Sequence, residues 1–399
     1  MDSDEIRIMN RSFKTLLEKR KNLIKDPQIK KLKEKVKSIR EKAIENNSKL
    51  LEEAKKSLKR NDIDFFLAEN DKQAKDIIYT IIKEENENVV AKSKSNTLRE
   101  ITISDFLKSK NIDIIETDLG DRILQLKEND NEPTHPTGPA SHLNVEHIVN
   151  IVNSALDVNI KADPHEIMKI VRKDVLERIS KSNVGLSGAN AVASQDGSIV
   201  LIHNEGNISL ISQMKTHIIV VGIDKLIETV EDAVSIAKLE TVYATGSKIT
   251  SYINVISGPS KTADIEKKLL KNMYGAEKVV VIFLDNGRSE AMKNIKEALY
   301  CIGCGSCLVT CPVYKVIANE FGFNSYLGGR GVAMSRFIEN MDVDFDSGLY
   351  KCTLCGLCTL NCPVDITTNE TLESIRKTSP TFKTHKEIKE KIVENGSPY

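Results

Sequence analysis

Two cysteine runs with the same spacing constrain this chain more than any other feature. LYCIGCGSCLVTCPVYK, from Leu299 to Lys315, and KCTLCGLCTLNCPVDI, from Lys351 to Ile366, both follow the pattern Cys-x2-Cys-x2-Cys-x3-Cys-Pro. Together they contain all eight cysteines of the protein. This spacing is typical of two-cluster ferredoxins, in which three thiolates of a run hold one [4Fe–4S] cluster and the fourth holds the other.

The cysteine pattern therefore predicts two [4Fe–4S] clusters with crossed ligand sets. The sets are Cys301, Cys304, Cys307 and Cys362 for one cluster, and Cys352, Cys355, Cys358 and Cys311 for the other. The alternatives are structural zinc, which favours two separated Cys-x2-Cys pairs, and disulfides, which a reducing compartment disfavours. The doubled spacing, the two prolines and the lack of a spare cysteine favour clusters. The 40 residues between Cys311 and Cys352, with a helix candidate at Val332–Glu339, indicate a helical ferredoxin module.

Composition and length indicate a globular protein of two or three units. The chain has 399 residues, of which 40% are hydrophobic and 29% charged. Its longest apolar runs, HIIVVGI from His217 and VVVIFL from Val279, are too short to span a bilayer. The N-terminus, MDSDEIRIMN, lacks the apolar stretch of a secretory signal. These features predict a cytoplasmic protein.

The charges are unevenly distributed although the net charge is zero. From Arg11 to Lys42 there are thirteen Lys or Arg residues against four Asp or Glu residues. A basic segment of this kind suits nucleic acid, anionic lipid or an acidic redox partner. Acidic residues interrupt the run, which favours the simpler interpretation of a solvated helix face. We therefore expect no nucleic-acid partner.

Periodicity divides the chain into helical, mixed and cysteine-rich parts. Pro27 indicates a helix break, after which a long helix is predicted from Gln28 to Arg60. Short β-branched runs then alternate with helical patterns, including a helix at Thr262–Asn272, which predicts an α/β domain with a mostly parallel sheet covered on both faces. The predicted divisions are 1–61 (charged helices), 62–290 (α/β domain), 291–379 (helical ferredoxin-type domain) and 380–399 (charged tail).

Three loops of the α/β domain are candidates for a ligand pocket at the strand ends. They are HNEGN from His203, SGPSKTADIE from Ser257 and LDNGRS from Leu284. Open parallel sheets bind ligands beyond the carboxyl ends of their strands. Arg288 is a candidate carboxylate clamp and Glu205 a candidate base, but each loop also suits a tight structural connection. The pocket candidates are Asn204, Glu205, Gly206, Gly258, Ser260, Thr262, Asn286 and Arg288, with added positive charge from Lys92 or Lys94.

Two histidines are candidate ligands or acid–base groups, and a third is not. His135 and His142 lie in PTHPTGPASH, but no Asp or Glu stands at metal-ligand spacing from them, which favours structural roles. His217 begins an apolar strand and is predicted to be a core residue.

The order of these motifs resembles the iron–sulfur proteins of bacterial and archaeal lactate utilisation. The matching segments are TDLGDRILQL, VGLSGANAVASQDGSIVLIHNEGN, HIIVVGI, ISGPSKTADIE, FLDNGRS and the two cysteine runs. The resemblance implies a LUD domain, with the fold of sugar-phosphate isomerases and CoA transferases, fused to a ferredoxin-type domain. It further implies L-lactate oxidation to pyruvate together with a cysteine-rich iron–sulfur oxidoreductase subunit and a small LUD protein.

The sequence leaves three functional interpretations open. The first is an electron-transfer subunit of a complex that oxidises a 2-hydroxy acid. The second run is also similar to cluster subunits of heterodisulfide-reductase-type complexes, which would supply a different electron source. The third makes the LUD domain itself a ligand-binding or catalytic module for an organic acid or acyl substrate. We favour a subunit of an oxidoreductase complex, with ligand binding or catalysis by the LUD domain as a contributing activity.

Overall fold

A computed structural model describes residues 1–127, 132–271, 273–339, 341–379 and 383–397. The α-helices are α1 (Ser3–Arg20), α2 (Pro27–Glu45), α3 (Asn47–Arg60), α4 (Asp71–Glu84), α5 (Asn96–Glu100), α6 (Ile103–Ser109), α7 (Leu119–Leu126), α8 (Val145–Leu156), α9 (Pro164–Ile179), α10 (Asn207–Ile211), α11 (Val230–Thr245), α12 (Arg288–Asn294), α13 (Ser306–Thr310), α14 (Tyr314–Ile317), α15 (Gly328–Ile338), α16 (Leu357–Leu360), α17 (Thr368–Thr378) and α18 (Lys383–Asn395). The strands are β1 (Asp64–Ala68), β2 (Val89–Lys92), β3 (Asp113–Glu116), β4 (Val184–Ser187), β5 (Ala191–Ala193), β6 (Ser198–His203), β7 (Thr216–Gly222), β8 (Leu226–Ile227), β9 (Tyr252–Ile256), β10 (Lys261–Thr262), β11 (Leu270–Lys271), β12 (Lys278–Leu284), β13 (Gly322–Phe323) and β14 (Tyr326–Leu327).

The centre of the molecule is a six-stranded sheet in the order β1-β12-β7-β4-β2-β3. Every pairing in this sheet is parallel. Strand β7 is buried along its whole length, because helices cover both faces of the sheet. Ile218 and Val220 pack with helices α4 to α6 on one face, while Ile219 and Val221 point into the opposite core. The predicted α/β fold with a mostly parallel sheet is confirmed.

A second, four-stranded sheet in the order β8-β5-β6-β9 lies beside the first. Strands β6 and β9 pair antiparallel in it, with Ile199 opposite Ile256. Sequence patterns predicted both strands but did not separate them from the parallel sheet. Strands β5 and β6 are joined through the tight turn at Gly197, which has a left-handed φ of 73°. A turn of this kind makes them pair antiparallel, in a sheet separate from the parallel one.

The prediction of a helix at Thr262–Asn272 is wrong for residues 262–271. Asn272 itself lies outside the described residues. This segment forms a short antiparallel hairpin, in which β10 pairs with β11. Glu266 and Lys267 between the strands adopt left-handed φ values of 50° and 57°, which no helix permits. Ile265 and Leu269 remain exposed, so an amphipathic helix here would have no apolar surface to pack against.

The N-terminal helices connect the two halves of the molecule. The predicted break is confirmed, because Asp26 caps α2 and Pro27 occupies its first turn. The single helix predicted from Gln28 to Arg60 is divided at Asn46 into α2 and α3. Helix α1 contacts α11, α13 and α14, and α2 contacts α11 and the turn before the first cysteine run. The basic segment thus covers both the sheet domain and the cysteine-rich part.

The cysteine-rich part is a set of short helices that shares its core with the sheet domain. Leu308, Val309 and Leu349 belong to the same apolar cluster as the inner face of β7. The predicted helix at Val332–Glu339 is present as α15. Backbones meet closely at the junction, where a Cβ atom on Gly287 would lie 2.0 Å from the carbonyl oxygen of Phe337. The predicted charged tail includes α18, and its residues 380–382 and 398–399 lie outside the described residues.

Candidate functional site

The two cysteine runs fold into the same local structure. In each run a left-handed residue follows two positions after the first cysteine, Gly303 at φ 85° and Leu354 at φ 55°. Its backbone N–H donates to the sulfur of that first cysteine, over 3.4 Å in both runs. A left-handed glycine, Gly305 or Gly356, then starts the short helix that carries the third cysteine. The loop conformation therefore turns three thiols toward one side, as cluster binding requires.

The last cysteine of the second run lies with the first three cysteines of the first run. Burial raises the pKa of Cys304 well above its usual range, and nearby Cys301, Cys362 and Cys307 raise it further. Burial also raises the pKa of Cys362 to about 11. Burial opposes the ionisation of Cys304, Cys307 and Cys362, and a positively charged iron core would stabilise their thiolates. We call Cys301, Cys304, Cys307 and Cys362 the first quartet.

The other four cysteines form the second quartet, which is closer to the surface. Burial raises the pKa of Cys311, and Cys358 and Cys352 of the second run raise it further. Cys355, the remaining member, is exposed. All eight thiols are free of disulfides, so the donor sets fit two all-sulfur clusters. Within the described ranges no His, Cys, Asp or Glu group has the close spacing that one metal ion requires.

Three cations surround the start of the first cysteine loop. Arg40 of α2 donates to the carbonyl of Tyr300 over 3.1 Å, and Lys225, which follows β7, donates to that of Cys301 over 2.7 Å. Arg330 of α15 donates to the carbonyl of Ala298 over 2.9 Å. Burial alone would raise the pKa of Cys301, but Arg330, Lys225, the Gly303 N–H and Arg40 together lower it.

These three cations were not predicted from the sequence. The only signal for Arg40 is its position on the apolar stripe of α2, one turn after the buried Val36. Lys225 lies in the turn after β7 and Arg330 in α15, and both bond to residues distant in the chain, so no local pattern identifies them. Cations in this position favour the more negative, reduced state of a cluster.

A cavity of about 350 Å³ separates the parallel sheet from the first quartet. Its floor is made by loops that follow β2, β3, β4, β7 and β12, the edge where open parallel sheets bind ligands. Its opposite wall includes Cys301, Gly303 and Cys307 of the first cysteine loop. A ligand in the cavity would therefore lie directly beside the first quartet.

The structure places only part of the predicted pocket in this cavity. Asn204, Glu205, Arg288 and Lys94 line it. Lys92 is instead buried in an ion pair with Glu116.

The remaining pocket candidates have structural positions. Asn286 is buried and donates to Glu100, and Gly206 starts α10. Gly258, Ser260 and Thr262 lie outside the cavity lining. Gly258 packs against the end of α3, where a Cβ atom would lie 2.2 Å from the Asn61 carbonyl oxygen.

Arg288 is a structural residue, which corrects its prediction as a carboxylate clamp. Its guanidinium donates to both oxygens of Glu100, over 2.8 and 2.7 Å, and to Asp224 over 2.7 Å. Tyr326 and the carbonyl of Asp285 accept from its remaining N–H groups. No donor is left for a ligand, because the chain itself supplies two buried carboxylates.

Glu205 keeps the properties of a candidate base. Burial and the nearby Asp118 raise the pKa of Glu205 to about 7. The Leu119 N–H, which donates to the carboxylate over 3.0 Å, and Lys94 oppose this shift. A second carboxyl in the cavity, Glu240, was not foreseen. It is buried, accepts from Asn190 over 2.9 Å, and burial raises its pKa to about 7.

The histidines have structural surroundings. His217 is fully buried and bonds Ser187 over 2.7 Å, which confirms its prediction as a core residue. His142 bonds the hydroxyl of Thr134 over 3.1 Å. His135 lies on the cavity wall, with Nε2 3.3 Å from the carbonyl oxygen of Gly305, and burial lowers its pKa to about 4. It therefore supports the first cysteine loop as a neutral group.

Comparison with known proteins identifies two matching families. Residues 51–284 match the LUD domain and residues 297–366 the 4Fe-4S dicluster domain. Lactate utilization protein B of Geobacillus thermodenitrificans is 32% identical over 336 residues, which cover 84% of this chain and 68% of the relative. The protein of the same name from Anoxybacillus flavithermus is 32% identical over 85% of this chain and 70% of its own. No solved structure matches significantly. None of the described helices is long and apolar enough to cross a membrane.

Proposed function

Because this chain belongs to the LUD-domain family of lactate-utilisation iron–sulfur proteins, we propose that it is the electron-relay subunit of a cytoplasmic complex that oxidises L-lactate to pyruvate. Two [4Fe–4S] clusters, when bound by the two quartets, supply single-electron transfer. The chain's own residues hold the clusters in order, separate them from water and set their surroundings.

One observation carries this proposal: the two quartets adjoin each other between the cavity and the surface. Cys307 of the first quartet interacts with its partners Cys301 and Cys362 and also with Cys358 of the second. The first quartet borders the cavity, whereas the second includes the exposed Cys355. This order supports a path from the cavity, through the first quartet and then the second, to a partner at the surface.

The two ends of this path differ in charge and in exposure. At the inner end Arg40, Lys225 and Arg330 hold the first loop by its carbonyl oxygens and place positive charge beside it. At the outer end α16 has no buried residue, and its Leu360 is 78% exposed. We propose that this outer face receives the cysteine-rich iron–sulfur oxidoreductase subunit, and that a small LUD protein completes the complex.

The experiment that tests the relay compares serine variants of the fourth cysteines. Anaerobic holoprotein is reduced with dithionite, freed from excess reductant and mixed with cytochrome c in a stopped-flow spectrometer. Cys311→Ser removes a ligand of the second quartet, so the remaining inner cluster should transfer electrons much more slowly than the wild type. Cys362→Ser removes a ligand of the first quartet and should leave a fast-reacting outer cluster.

Matched controls are Cys355→Ser for the second quartet and Cys304→Ser for the first. Crossed ligation predicts that Cys311→Ser behaves like Cys355→Ser, and that Cys362→Ser behaves like Cys304→Ser. The opposite grouping would show that each run keeps its own fourth cysteine. Equal electron-transfer rates in all four variants would contradict an inner and an outer cluster.

A further inference from the structure

One arginine on the cavity wall, Arg330, has no carboxylate within ion-pair distance among the described residues, and Asp224 interacts with it only from farther away. Four of the cations that line the cavity are paired with carboxylates: Lys94 with Asp118 at 2.6 Å, Lys225 with Asp224 at 3.3 Å, Arg288 with Glu100 at 2.7 Å, and Arg99 with Asp121. Within the described part of the chain, Arg330 makes only the hydrogen bond from Nε to the Ala298 carbonyl, and its guanidinium lies 5.8 Å from the Tyr326 ring centroid. Its two terminal nitrogens are left without a hydrogen-bond acceptor.

Two serine hydroxyls that line the cavity are also unpaired among the described residues. Ser93 follows β2 and is 1% exposed, and Ser325 lies in the turn before β14. Both line the cavity, and among the described residues neither hydroxyl oxygen has a hydrogen-bond partner. A buried hydroxyl without a partner costs about 1–3 kcal/mol. The fold therefore retains two unsatisfied groups, one from each side of the cavity, where a ligand oxygen would satisfy them.

The size and charge of the cavity limit the ligand class. A volume of about 350 Å³ is at the small end of ligand pockets, which run from roughly 300 to 1,000 Å³. An arginine presents two parallel N–H groups that match the two oxygens of a carboxylate. The five lining cations already face five lining carboxyls, Glu100, Asp118, Glu205, Asp224 and Glu240, so a dianion would be repelled more than a monoanion. Apolar side chains such as Leu201 and Ile208 complete the wall.

We propose that this cavity binds a small organic monocarboxylate, with Arg330 as the carboxylate anchor and Ser93 and Ser325 as hydrogen-bond donors. Arg330 and Ser325 come from the ferredoxin-type segment, whereas Ser93 comes from the sheet domain, so the site exists only when the two are joined. This inference builds on the proposed relay, because the acid lies beside the first quartet. Binding is nevertheless measurable without electron transfer.

The test is isothermal titration calorimetry of the anaerobic holoprotein with L-lactate, pyruvate, acetate and inorganic phosphate. At least one monocarboxylate should bind the wild type, and Arg330→Gln should weaken it by about tenfold or more, as expected for a hydrogen-bonded charge. The exposed Arg172 of α9, which does not line the cavity, provides the control Arg172→Gln. The visible spectrum of each variant reports whether its clusters are intact.

Ser93→Ala separates ligand binding from a structural role. Removing an unpaired hydroxyl should leave the thermal midpoint of the ligand-free protein unchanged or higher, while the affinity for the acid falls by about tenfold. Phosphate binding without monocarboxylate binding would overturn the ligand class. Unchanged affinity in Arg330→Gln with intact clusters would overturn the anchor. Absence of any binding, with the relay still active, would overturn this inference and leave the proposed function standing.

Discussion

The buried ion network of Arg288 should stabilise the protein rather than bind a ligand. Arg288 at the start of α12 joins Glu100 of α5 and Asp224 after β7, and it also reaches Tyr326 in the cysteine-rich part. All three charged side chains are almost fully buried. Replacing Arg288 by alanine would leave the buried Glu100 without its ion-pair partner and would remove one of the cations beside the buried Asp224.

The expected size of this effect follows from the burial. Removing one partner of a buried ion pair costs roughly 3–5 kcal/mol, because the other charge remains uncompensated. Each kcal/mol lowers the melting temperature of a large domain by about 2 °C or slightly more. Arg288→Ala should therefore melt roughly 6–10 °C below the wild type. The double variant Arg288→Met/Glu100→Leu removes two opposite charges together and should be less destabilised than Arg288→Ala.

The assay is thermal unfolding of the anaerobic holoprotein, followed by far-ultraviolet circular dichroism. Lys293→Ala on the same helix is the control, because its ion pair with Glu290 is exposed and should contribute less than about 1 kcal/mol. A loss of less than about 2 °C in Arg288→Ala would show that this ion network contributes little to stability. Loss of monocarboxylate binding without loss of stability would restore Arg288 as a ligand clamp.

Three further predictions address the core, the junction and the cluster surroundings. Burial lowers the pKa of His217 to about 3, so this neutral histidine should cost stability as pH falls from about 6.5 toward 3, by up to about 5 kcal/mol; His217→Gln should lose that pH dependence in urea titrations. Gly287→Ala places a Cβ atom at a φ of 83° and against the Phe337 carbonyl, so the free energy of unfolding should fall by more than about 2 kcal/mol. Faster limited proteolysis of the cysteine-rich part would show that this part has separated from the sheet domain. Arg40→Met removes a buried cation beside the first loop and should lower the potential of the inner cluster by on the order of tens of millivolts in a redox titration, with no change at the outer one.

Local patterns in the sequence predicted the main architecture. Strands such as β7 and β12 are continuous apolar runs whose burial on both faces identifies a parallel sheet. The repeated cysteine spacing predicted the loops of both quartets, because turn conformation and thiol spacing are properties of adjacent residues. Where a segment had the periodicity of a helix but no surface to pack on, as at Thr262, the prediction failed.

The ligand cavity was less predictable because its chemistry depends on pairing between distant residues. Arg288 and Arg330 look alike in the sequence, because each directly follows a glycine. Only the fold shows that Glu100 and Asp224 neutralise Arg288, while Arg330 has no carboxylate partner among the described residues. Glu240 lies within a helix pattern that indicates core packing, and its contact with Asn190 arises from two separate elements.

Iron and sulfide analysis combined with a redox titration would show directly whether one chain holds two adjoining [4Fe–4S] clusters. Anaerobically prepared protein is analysed for iron and sulfide and then titrated with dithionite, with electron paramagnetic resonance at each potential. Two adjoining clusters should give about eight irons and eight sulfides per chain, two one-electron steps, and spectra broadened by interaction between the reduced clusters. About four irons with a single reduction step, or zinc in place of iron, would contradict it.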